Sequence, residues 1–111
     1  RAGNKTQELN DPTAHAEILA IRAAAASWGK PRLYDCDIYV TLEPCAMCAS
    51  AIAFARLRKL IFGAYDPKSG GVEHGPRIFS QPTIHYEPEI IGGVLETDSL
   101  ELLKTFFAKR R

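Results

Sequence analysis

The chain has 111 residues, 46% hydrophobic and 24% charged, with a formal net charge of +1. That is enough sequence for one domain with a real core, and too little excess charge for the whole body to act as a polyanion trap. No apolar run reaches the roughly 18 residues of a transmembrane helix and nothing resembles a secretory signal, so no membrane association and a cytoplasmic setting are expected. The chain begins at Arg1 and not at Met, so an N-terminal piece is expected to be missing from it.

Residues 1–12 are polar and irregular. Asp11-Pro12-Thr13 then offers a capping acid, a proline suited to a first helical turn and a hydroxyl. A helix is expected from Ala14 to Ser27, stopped by Gly29 and Pro31, with the alanines at 23–26 allowing close packing on a sheet. Cys36 to Leu42 is β-branched and aromatic, the composition of a strand. Glu43-Pro44 turns the chain into a second helix from Cys45 to Phe54, and Lys59 to Gly63 reads as another short strand. Strand, helix and strand at this spacing make a βαβ unit, so the strands should be parallel. Residues 64–88 read as a long loop, which in a compact domain is usually functional. Ile90-Ile91 adds a short strand, and Asp98 caps a last helix with an apolar stripe of Leu100, Leu102, Leu103, Phe106 and Phe107. Lys104, Lys109, Arg110 and Arg111 run to the end without an acid, and Arg56, Arg58 and Lys59 form a second basic cluster. Two such patches on a neutral body fit a polyanion held at a defined place, but taken alone they fit solvated helix ends favoured by the macrodipole better.

The chemistry sits in two short segments, His15-Ala16-Glu17 and Pro44-Cys45-Ala46-Met47-Cys48. Cys45 and Cys48 are three apart, so on one helix both sulfurs can face one point, and a helix N-terminus favours their thiolates. With His15 they make three protein ligands for one zinc ion, the fourth tetrahedral position being left for water. Glu17 is two residues from His15, about 200° around a helix, so the two can share a target only at the open end of the first turn. In that arrangement zinc lowers the pKa of water toward about 7, and Glu17 takes the proton and returns it to a departing group. A redox C-x-x-C gives no role to His15 or Glu17. A structural zinc site would need a fourth ligand, and only His74 and His85 are available, both read as surface residues of the long loop. Cys36 reads as a small buried hydrophobe.

At these residues the sequence resembles the cytidine deaminase superfamily, and within it the bacterial tRNA adenosine deaminases. The resemblance spans essentially the whole chain. Asp11 to Glu17 and Thr41 to Cys48 resemble the family's two metal segments. Phe62 to Lys68 resembles its segment beside the target nucleotide, and Phe106-Phe107 with Lys109-Arg110-Arg111 its closing helix. It implies an α/β fold of three layers, α/β/α, with a mostly parallel central sheet flanked by helices. The N-terminal helix and two strands that open the family's fold have no counterpart here; those strands would pair with the strand at 36–42. It further implies that Asn4 hydrogen-bonds the target base, that the Ala16 backbone meets the base edge, and that Asp66 and Lys68 read ribose and phosphate. Lys109, Arg110 and Arg111 would rest against RNA. The activity implied is conversion of adenosine to inosine at the wobble position of a tRNA anticodon loop, by a homodimer with one Zn2+ per subunit. The rivals are a zinc deaminase for a free base or nucleoside such as guanine, cytosine or cytidine, and a non-catalytic zinc module that docks RNA.

Overall fold

Asp11 organises the first turn and not the first helix. In the computed structural model, which describes residues 3–94, its Oδ1 accepts from the Thr13 amide at 2.9 Å and the Thr13 hydroxyl at 2.7 Å. With that acceptor used locally, the chain turns once more, and α1 begins two residues later than expected, spanning Ala16–Trp28. His15 becomes its N-cap, in extended backbone at φ −70°, ψ 153°. Gly29 closes the helix at φ 69°, its N–H donating to the Ala25 carbonyl, as a left-handed C-cap requires.

β1 (Asp37–Leu42) leads into α2 (Ala46–Ala55), which returns to β2 (Lys59–Ala64). β1 and β2 are parallel, and β3 (Glu89–Ile91) is parallel to β2, giving the order β1-β2-β3. The βαβ unit and its short third strand therefore stand as expected. Alternation does the packing: Ile38 of β1 with Leu60 and Phe62 of β2 points to a core shared with Ala49, Ile52 and Ala53 of α2. The small residues of α2 permit that close approach. α1 packs against α2, and Ala23 and Ala26 are exposed, so the alanine stretch does not lie flat on a sheet. The other sheet face carries Tyr39, Ile61 and Ile91 in register. Among the described residues β1 is an edge, paired with β2 alone. The helix expected from Asp98, with Lys104, Lys109, Arg110 and Arg111, lies outside the described residues.

The basic cluster after α2 is not an open patch. Arg58 donates to both carboxylate oxygens of Asp37 at 2.9 Å, and Lys59 pairs with Glu89 across β2 and β3 at 3.6 Å. Arg56 donates to the Ala53 carbonyl and lies over the Tyr86 ring at 5.3 Å. Each of these cations thus has a partner within the chain, which favours the solvated helix-end reading of the cluster at 56–59 over the polyanion patch. Exposed pairs of this kind add little to stability; their effect here is to occupy the charges.

The long segment after β2 runs through turns and bends. It contains a 3-10 turn at Ile78–Ser80, whose Phe79 is buried and packs against α2.

Candidate metal centre

Two helix N-termini meet at one point. Cys45 is the N-cap of α2 in extended backbone, φ −70°, ψ 174°, as His15 is of α1. An N-cap side chain is not bound to the helical wheel, which removes the angular conflict between His15 and Glu17. His15 leaves from the cap while Glu17 leaves from the first turn.

The His15 Nδ1 atom lies 3.7 Å from the Cys45 sulfur and 3.5 Å from the Cys48 sulfur. All three donor atoms fall within 4.8 Å of one another. A tetrahedral zinc with bonds of about 2.05 Å to nitrogen and about 2.3 Å to sulfur has N···S edges of ~3.6 Å. The donor set and its spacing therefore fit one zinc ion held by His15, Cys45 and Cys48, leaving one tetrahedral position for a non-protein ligand. Cys48 is fully buried, at 0% exposure, while His15 and Cys45 are half-buried.

The two thiols differ in acidity. Hydrogen bonding from the Cys48 thiol pulls the Cys45 pKa down to about 5, against the cost of burial and aided by the Cys48 and Met47 amides and His15. Cys48 moves the other way: its bond to Cys45, its burial and the nearby Glu17 carboxylate all raise it. The expectation that the helix end would lower both thiols thus holds for Cys45 alone, because two adjacent thiolates beside a carboxylate repel. A divalent cation must displace the Cys48 proton on binding.

The other expected site residues stand at a helix start and in local turns. Ala16 is the first residue of α1. Asn4 is half-buried, and its Oδ1 accepts from the Thr6 amide and hydroxyl, both at 3.0 Å, forming a turn. Asp66 Oδ1 accepts from the Lys68 and Ser69 amides at 3.1 and 3.0 Å, and Lys68 is exposed. Lys109, Arg110 and Arg111 lie outside the described residues. Cys36 is half-buried against the core, and His85 is exposed.

Sequence reasoning missed Glu43 and misplaced His74. Glu43 is only 3% exposed, and its Oε1 accepts from the Asp66 amide at 3.0 Å and from the His74 ring Nδ1 at 2.8 Å. Its Oε2 accepts from three successive amides, Val72, Glu73 and His74, at 3.1, 2.8 and 3.2 Å. Burial raises the pKa of this carboxyl, and these donors more than reverse that, holding it below its ordinary value. His74 is thus no simple surface residue: it bonds Glu43 and meets the Tyr65 ring edge-on at 5.9 Å. The useful signal was the buried acid next to the ligand segment together with Gly70-Gly71. The Gly71 amide donates to the Pro44 carbonyl at 2.8 Å, and a Cβ at Gly71 would stand 2.5 Å from the Ala46 amide nitrogen. Gly71→Ala is accordingly expected to destabilise the fold by about 1–3 kcal/mol, read as a lowered chemical-denaturation midpoint. An unchanged midpoint would show that the first turn of α2 yields easily.

Residues 1–111 match the sequence model of the MafB19-like deaminase family. The chain is 57% identical, over its whole length and 73% of the relative, to the "tRNA-specific adenosine deaminase" of Agrobacterium fabrum. A solved structure from a study of A-to-I editing by tRNA:A34 deaminases superposes with a TM-score of 0.87 and 58% identity, over 91% of this chain and 73% of that one. A guanine deaminase from Nitrosomonas europaea shares the fold at a TM-score of 0.74 and 20% identity, over 96% of this chain and 64% of that one.

Proposed function

Because the chain belongs to the MafB19-like deaminases and, among them, to the tRNA-specific adenosine deaminases, we propose that it hydrolyses adenosine to inosine at the wobble position of a tRNA anticodon loop. The observation that carries this reading is the approach of His15 Nδ1 to the two sulfurs at 3.5 and 3.7 Å with Glu17 alongside. Zinc bound by His15, Cys45 and Cys48 supplies a Lewis acid that makes water nucleophilic near neutral pH. Glu17 accepts a proton from the attacking water as the C–O bond forms at the amine-bearing carbon and the ring C=N π bond opens onto its nitrogen, which takes up that proton. Glu17 then moves the remaining hydroxyl proton to the amine nitrogen as the C=O bond forms. The C–N bond breaks and ammonia leaves.

The remaining roles follow from what each group still offers. Asn4, its oxygen engaged by Thr6, presents amide N–H donors to the target base. Ala16 at the start of α1 supplies backbone polar groups to the base edge. Asp66 keeps acceptor capacity for a ribose hydroxyl, and exposed Lys68 suits phosphate. Lys109, Arg110 and Arg111 are proposed as further backbone contacts. We also propose a cytoplasmic homodimer with one zinc per subunit; no helix among the described residues is long and apolar enough to cross a membrane.

A direct comparison of substrates tests the reading. An anticodon stem-loop carrying adenosine at the wobble position should be converted to inosine, with little turnover of free adenosine, guanine or cytidine. Turnover of the free compounds alone would favour the free-base rival. Zinc binding and RNA binding with no deamination of any of them would favour the non-catalytic module.

A further inference from the structure

The loop carrying Asp66 and Lys68 is joined to the segment before α2 by the Gly71 amide on the Pro44 carbonyl and, with five hydrogen bonds, by one buried carboxylate. Glu43 stands two residues before Cys45, and its two oxygens receive four backbone amides and one imidazole from residues 66–74. The amides of Val72, Glu73 and His74 point together at Oε2, a nest of the kind that normally holds an anion from outside the chain. Here the anion is built in. Gly70 gives the carboxylate room, since a Cβ there would lie 2.5 Å from the Glu43 Cδ. Gly71 presses directly on the first turn of α2, and its carbonyl accepts from Ile78 at 2.8 Å. The loop's remaining hydrogen bonds near Asp66 are internal to it, from Lys68, Ser69 and Gly70.

We propose that Glu43, with His74 as its partner, is a positioning residue for RNA: it fixes the Asp66–His74 loop to the N-terminus of α2, so that Asp66 and Lys68 stand at a set place relative to the metal ligands. This rests on the reading of Asp66 and Lys68 as RNA contacts. The ligands themselves are held by other means. Cys45 is fixed between β1 and α2, and Cys48 is packed within α2. Loosening the clamp therefore weakens substrate capture before it disturbs metal binding or turnover.

Two substitutions at His74 separate the hydrogen bond from the ring contact with Tyr65. Asparagine places an amide nitrogen near the imidazole Nδ1 position and keeps the donor to Glu43; phenylalanine keeps the ring and loses the donor. Steady-state kinetics on the stem-loop should show His74→Asn close to wild type. His74→Phe should raise KM on the order of tenfold, the worth of one hydrogen bond to a charged group, with kcat and metal content unchanged. The reverse order, Phe tolerated and Asn impaired, would reduce His74 to a packing role and overturn the proposal, as would a fall in kcat and bound metal at constant KM.

Hydrogen exchange of the loop amides supplies a readout that needs no RNA. In Glu43→Gln the new amide puts a donor among donors, and protection at Val72, Glu73 and His74 should fall on the order of tenfold or more while α2 stays protected. Unchanged protection would overturn the clamp. Lost protection with unchanged KM would leave the clamp intact and remove the assignment of this loop to RNA.

Discussion

A Glu17→Ala variant is expected to retain its zinc and to lose about 10²–10⁴ in deamination rate, the range of a positioned general acid–base group. The expectation follows from how the first turn of α1 is built. His15 reaches the sulfurs from the N-cap, outside the helical repeat, while Glu17 sits one step inside the helix. The carboxylate is felt by Cys48, whose thiol it helps to hold protonated. The group of three whose donor atoms converge is His15, Cys45 and Cys48, without Glu17. Removing it should leave those donors undisturbed and even ease the loss of the Cys48 proton. Metal analysis and inosine formation on the same sample decide the matter. Loss of both together would make Glu17 a ligand.

Cys48→Ala should give the same loss of activity for the opposite reason. With only His15 and Cys45 left, bound metal should drop from about one per chain to near none after dialysis, because two protein ligands do not make a stable zinc site. Cys48 is a fully buried residue of α2, and alanine removes only its sulfur. Circular dichroism should accordingly remain that of a folded protein. A variant that stays folded, binds stoichiometric metal and retains activity would mean that Cys48 is a core residue and no ligand.

The fold and the ligand types were legible because each is written in a short stretch of sequence, although His15 meets Cys45 and Cys48 across 30 and 33 residues. β1, α2 and β2 follow from a β-branched run, an alanine-rich helix and a second apolar run within 28 residues. Cys45 and Cys48 sit close enough for spacing alone to bring them to one side, whereas His15 and Glu17, two residues apart, can share a target only because His15 is the N-cap of α1. The start of α1 was misread by two residues, since Asp11 spends its acceptor on Thr13 and not on a helix. What stayed hidden depends on partners far along the chain. Arg58 and Lys59 looked like a patch because Asp37 and Glu89, which occupy them, lie 21 and 30 residues away. Glu43 looked like part of a turn because its partners are mostly backbone amides, which leave no residue type to recognise.

The account stands on catalysis at the centre formed by His15, Cys45 and Cys48. The most direct test is to strip the protein of metal, restore zinc in measured steps and follow inosine formation on the anticodon stem-loop at each step. The rate should rise linearly with bound zinc and level off at about one zinc per chain. Inosine formation by the stripped protein at the full rate would contradict it.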